Sequence, residues 1–128
     1  ALAVARFLKC RDEVAWVRYA GLEDDNDHAL AQKYCPQGTC GVLAFALKGS
    51  REKAEKFMDS LQLAIIATHV ADARTCLLHP ASHTHRQLSD EQLKEAGVDK
   101  DLIRFSIGLE DPQDIIDDIR QALIASEA

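Results

Sequence analysis

Apolar positions along the chain recur with two periods, and the switches between them mark its elements. Val4, Phe7 and Leu8 share one helical face within residues 1–10. Val14 to Tyr19 is rich in β-branched and aromatic residues and is closed by Gly21, which predicts a strand. Asp27 then stands where it can cap a short helix running to Tyr34, and Pro36 must end it. Beyond a turn bracketed by Gly38 and Gly41, Val42 to Leu47 predicts a second, largely buried strand. Gly49-Ser50 opens a helix in which Ala54, Phe57, Met58 and Leu61 recur at helical spacing. The runs Leu63–Ala67 and Thr75–Leu78 are short and bounded like buried strands.

The next helix carries its own punctuation. Ser89 and Gln92 have capping-box spacing, Leu88 and Leu93 sit where a hydrophobic staple places them, and Gly97 fits the left-handed stop. Leu102 to Ile107 predicts a final strand, and Asp111-Pro112 opens a C-terminal helix with Ile115, Ile116, Ile119 and Leu123 toward the core. The expected order is α-β-α-β-α-β-β-α-β-α, with no Gly-rich phosphate loop after any strand. This order predicts an α+β domain, a small sheet with helices on one face. No capping residue precedes the apolar stripe of residues 1–10. The expectation is a helix entered part-way, its stripe poorly packed and seeking a partner outside this stretch of chain.

Composition narrows the function classes. The 128 residues suffice for one domain with its own core. A net charge of −6 without any basic cluster argues against nucleic acid as a partner. The apolar runs are too short to span a membrane, and the start lacks the pattern of a secretory signal. Cys10, Cys35, Cys40 and Cys76 are too few for a disulfide scaffold, so free thiols in a reducing cytoplasm are expected.

Two places concentrate candidate chemistry. Three of the five histidines crowd into His79-Pro80-Ala81-Ser82-His83-Thr84-His85. A metal site drawing on His83, His85 and Cys35 or Cys40 is opposed by spacing, since no second Cys or His pair stands at zinc-finger distance. The plainer reading is a polar loop whose side chains bond the backbone. Arg104 is the second place, because it interrupts the apolar strand Leu102-Ile103-Arg104-Phe105-Ser106-Ile107. Alternation sets it on one face with Leu102 and Ser106, opposite Ile103, Phe105 and Ile107. Residue chemistry alone leaves two readings open, a solvated arginine on an exposed face and a bidentate anchor for a small carboxylate.

The same residues carry a resemblance. The run from His79 to Ser89, then Gly97-Val98, then Leu102 to Glu110 resemble the C-terminal end of the Cys/Met-metabolism (transsulfuration) family of pyridoxal-phosphate enzymes. The patterns are H-P-A-S-x-T-H and R-x-S-x-G-x-E. Gly41-Val42-Leu43-Ala44-Phe45 resembles the family's G-V-L-S-F strand, and Val14 to Leu22 its V-x-W-V-x-Y-P-G-L, with Ala20 in place of proline. Within the family the segment Asp72-Ala73-Arg74-Thr75 is most similar to the O-acetylhomoserine sulfhydrylase branch.

That resemblance implies the C-terminal domain of a fold type I enzyme, with residues 1–10 as the end of an interdomain helix. It implies a larger N-terminal domain, outside this chain, that holds pyridoxal phosphate on a lysine, and a homotetramer with active sites between subunits. The reaction implied is γ-replacement on O-acetylhomoserine by sulfide or a thiol, giving homocysteine or methionine. Arg104 matches the arginine that grips the substrate α-carboxylate. His69 stands where the family commonly has Ser or Asn helping to hold that carboxylate, and Ala71 replaces a glycine. The histidine-rich loop is read as structure beside the site, which leaves no catalytic, cofactor-binding or metal-binding residue in this stretch. By itself the domain is then expected to be inactive. A methionine γ-lyase or a cystathionine lyase or synthase shares the domain, and a free-standing regulatory small-molecule module is the non-enzyme alternative.

Overall fold

A computed structural model describes residues 1–128. The elements follow the expected order: α1 (Leu2–Lys9), β1 (Val14–Arg18), α2 (His28–Tyr34), β2 (Val42–Leu47), α3 (Arg51–Ser60), β3 (Ile65–Ile66), β4 (Cys76–Leu78), α4 (Asp90–Glu95), β5 (Leu102–Ser106) and α5 (Pro112–Glu127). The sheet runs β1-β2-β5-β4-β3, antiparallel throughout except for the parallel edge pair β3–β4. No helix is long and apolar enough to cross a membrane.

Alternation divides the sheet into two faces. Leu43, Phe45, Leu77, Ile103 and Phe105 point into the main core with Ala54, Phe57 and Met58 of α3 and Ile115, Ile119, Ala122 and Leu123 of α5. Phe45 meets Phe57 and Phe105 edge-on, with ring centroids 5.9 and 6.0 Å away. The other face carries Ala44, Arg104 and Leu78 in register across β2, β5 and β4. Arg104 and Ser106 thus share the face opposite the core, as alternation predicts.

The expectation of a poorly packed N-terminal stripe is corrected. Val4, Ala5 and Leu8 are at most 1% exposed and belong to the main core. Phe7 is partly buried, with the guanidiniums of Arg11 and Arg120 over its ring at 5.7 and 5.3 Å. The stripe finds its partner within this chain because α5 and β1 lie beneath it.

The run Leu63–Ala67 is shorter as a strand than its apolar pattern suggests, for a specific reason. The buried Asp118 carboxylate of α5 accepts the backbone N–H groups of Gln62, Leu63 and Ala64 at 2.8–2.9 Å. Those donors are spent on a side chain, so strand pairing begins only at Ile65. The predicted punctuation of α4 and α5 is present. Ser89 and Gln92 form the reciprocal capping box, Gly97 adopts φ 73°, and Val98 N–H donates to the Leu93 carbonyl at 2.9 Å. The Asp111 side chain accepts from Gln113 N–H at 2.8 Å ahead of Pro112.

Candidate substrate-carboxylate site

Arg104 sits near the middle of β5, flanked by Ala44 on one side and Leu78 on the other. It is half-buried. Its Nη2 donates to the Thr68 carbonyl at 2.9 Å and more weakly to that of His69 at 3.4 Å. No carboxylate of the chain pairs with it, although Arg11, Arg18, Arg74 and Arg120 all have acidic partners. Two neutral carbonyls orient a guanidinium without neutralising it. The remainder of the fork keeps its charge, and its free donors have the geometry that matches a planar anion.

The segment that supplies those carbonyls is clamped along its length by β5 and the residues after it. The Ser106 hydroxyl accepts from Ala71 N–H at 3.1 Å. Leu109 N–H donates to the Ala73 carbonyl at 2.8 Å, and Gly108 N–H donates to the Thr75 hydroxyl at 3.0 Å. Glu110 closes the end by accepting from both the N–H and the hydroxyl of Thr75. A Cβ on Gly108 would lie 2.4 Å from the Ala73 carbonyl oxygen and 2.5 Å from the Arg74 carbonyl carbon, so only glycine permits this approach. The motif R-x-S-x-G-x-E is therefore one physical device, four residues each gripping the stretch 68–75. Of these, sequence reasoning singled out only Arg104. Their alternate spacing, two on β5 and two just beyond it, was the available signal.

Electrostatics support the clamp. Partial burial pushes the Glu110 carboxyl up, but hydrogen bonds from Thr75 N–H, from its own N–H and from the Thr75 hydroxyl together hold it below the usual range. Asp72, in the same stretch, is also held low, first by the N–H of Arg74 and then by its side chain, against desolvation. His69 is exposed, and it meets Arg104 through its backbone carbonyl.

The histidine-rich loop follows directly on Leu78, the β4 neighbour of Arg104, and its side chains are engaged in structure. His79 is fully buried; its Nε2 bonds the Lys100 carbonyl at 2.8 Å and its Nδ1 bonds the Ser82 hydroxyl. Burial pushes its imidazole down, against the pull of the Lys100 carbonyl, and both ring nitrogens are used in structure. His83 Nδ1 bonds the His79 backbone at 2.9 Å, and His85 bonds Thr84. Neither is gathered with Cys35 or Cys40 into a cluster of three metal-ligating side chains.

This is a small α+β domain that carries on its sheet an arginine oriented by two carbonyls and without an acidic partner. A model of the Cys/Met metabolism PLP-dependent enzymes matches residues 1–124, and the chain belongs to that family. It is 42% identical over 124 residues to O-acetyl-L-homoserine sulfhydrylase of Leptospira meyeri and 45% identical over 123 residues to homocysteine synthase of Schizosaccharomyces pombe. Each alignment takes in 96% of this chain but only 28% and 29% of those proteins. The crystal structure of a Campylobacter jejuni protein assigned as an O-acetylhomoserine (thiol)-lyase, which contains N'-pyridoxyl-lysine-5'-monophosphate, superposes with a TM-score of 0.89 at 39% identity. That match covers 97% of this chain and 30% of the Campylobacter one, so the chain spans under a third of its relatives' length.

The family depends on pyridoxal phosphate, and the residues present here do not form its site. Lys9, Lys33, Lys48, Lys56, Lys94 and Lys100 are exposed, and Lys53 pairs with Glu127. None stands in the partly buried, weakly charged setting that favours a Schiff base at neutral pH.

Proposed function

We propose that this chain is the C-terminal, substrate-carboxylate-binding domain of a pyridoxal-phosphate-dependent O-acetylhomoserine sulfhydrylase. The observation that carries the proposal is the Arg104 fork, aimed by the carbonyls of Thr68 and His69 and left without an acidic partner. A substrate α-carboxylate meets such a fork with two charge-assisted hydrogen bonds, which hold the amino acid in one orientation. His69, whose carbonyl lies 3.4 Å from Arg104 Nη2, is the second contact proposed for the same group. The cofactor, held by residues outside this chain, supplies carbanion stabilisation. The whole enzyme acts as a cytoplasmic homotetramer, exchanging the acetate of O-acetylhomoserine for sulfide or a thiol. The 128-residue domain alone is inactive.

The deciding assay uses the full-length protein with O-acetylhomoserine and sulfide. Formation of homocysteine and acetate supports γ-replacement. Release of an α-keto acid and ammonia from methionine or cystathionine, with no homocysteine formed from O-acetylhomoserine, would assign a lyase instead.

A further inference from the structure

We propose that Ser106 is a positioning residue for Arg104, acting through the strained turn at Ala71. The proposal rests on the reading of Arg104 as the carboxylate anchor. Ser106 is 1% exposed, stands two residues along β5 from Arg104 and lies on the same face. Its hydroxyl accepts the Ala71 N–H at 3.1 Å. Ala71 has φ 59° and is the chain's one non-glycine residue in the left-handed region. Two and three residues before it come the carbonyls that orient the Arg104 guanidinium.

One strand face therefore grips one short turn at two points. Arg104 holds residues 68–69, and Ser106 holds residue 71. An alanine resists the left-handed region because its Cβ crowds the neighbouring carbonyl oxygen, so this conformation persists only where the surroundings impose it. The part-buried bond to the buried Ser106 is such an imposition. Without it, Ala71 relaxes toward negative φ and the preceding peptide units rotate. The carbonyls of Thr68 and His69 then leave the guanidinium, and the fork loses its aim while keeping its charge. Ser106 thus sets how well Arg104 is placed without being the carboxylate's own partner.

The test is a set of kinetic measurements on the full-length protein. Ser106→Ala is expected to raise KM for the amino-acid substrate roughly three- to tenfold, the effect of one lost hydrogen bond, with a smaller change in kcat. Ala71→Gly added to Ser106→Ala is expected to restore most of the loss, because glycine takes this φ without the imposed bond. In an Arg104→Ala background, Ser106→Ala is expected to add nothing further. Where Ser106→Ala does not fold, Ser106→Cys, similar in size but a weak acceptor, is read the same way. A wild-type KM in Ser106→Ala beside a raised KM in Arg104→Ala would overturn the proposal alone. So would a KM rise that glycine fails to rescue, or one that persists undiminished without Arg104. An unchanged KM in Arg104→Ala would remove the anchor reading and this proposal with it.

Discussion

Glu110 and Thr75 are joined twice, by a backbone N–H at 2.7 Å and a hydroxyl at 2.8 Å, both donated to the one carboxylate. Thr75 is completely buried and Glu110 partly so, which leaves water an incomplete substitute for a lost acceptor. Glu110→Ala should therefore destabilise the chain by roughly 2–4 kcal/mol, the cost of stranding two buried donors from a charged partner. Glu110→Gln, which keeps one good acceptor, should lose less. Urea unfolding midpoints of the three proteins measure this, and equal midpoints would refute the clamp.

Arg104→Ala in the full-length enzyme should lower kcat/KM at least about tenfold, because the substrate carboxylate loses a charge-assisted pair of about 1.5–3 kcal/mol. The loss should fall mainly on KM, with the visible absorption of the bound cofactor unchanged. Arg104→Lys should recover only part of it, since an ammonium keeps the charge but not the fork. Wild-type kinetics in both variants would return Arg104 to the status of a solvated strand residue.

Asp118 should matter more to stability than any other acidic residue of α5. It gathers the N–H groups of Gln62, Leu63 and Ala64, and also accepts from Gln121 Nε2 at 3.1 Å. Asp118→Ala should cost roughly 3 kcal/mol or more by leaving those amides unpaired at the entry to β3. Asp117→Ala, one residue away and exposed, should cost well under 1 kcal/mol. Similar losses in the two variants would contradict the structural role given to Asp118.

His79 should make the chain acid-sensitive. Burial holds its folded pKa below that of a free histidine, so between the two values the unfolded chain binds more protons than the folded one. The stability it contributes is complete above the unfolded value, about 6.5, and is lost as pH falls from there toward the lower folded value. Urea midpoints compared at about pH 7.5 and about pH 5.5 should differ more in wild type than in His79→Gln. An equal interval in both would show that His79 does not titrate on unfolding.

Much of this molecule was legible along the chain because its signals are local. Apolar periodicity, the Ser89–Gln92 box, Gly97 and Asp111-Pro112 each act within a few residues, and the order of all ten elements follows from them. The motif wording around Arg104 and the histidine loop likewise pointed to the family that residues 1–124 match. Alternation alone put Arg104 and Ser106 on one face.

What a side chain bonds across long sequence separations was decided only by the tertiary structure. Asp118 reads as one more acid on an acidic helix until folding brings it against residues 62–64 and shortens the strand that an apolar run suggested. The stripe of α1 reads as uncovered until α5 closes over it. The two readings of Arg104, solvated or anchoring, differ in nothing that periodicity measures. The fold adds the carbonyls of Thr68 and His69 that hold the guanidinium, and the kinetics of Arg104→Ala choose between the two readings. Local patterns set the elements because they rest on backbone geometry and short-range burial. The site depends on partners 33–36 residues away, and no local pattern encodes which of them meet.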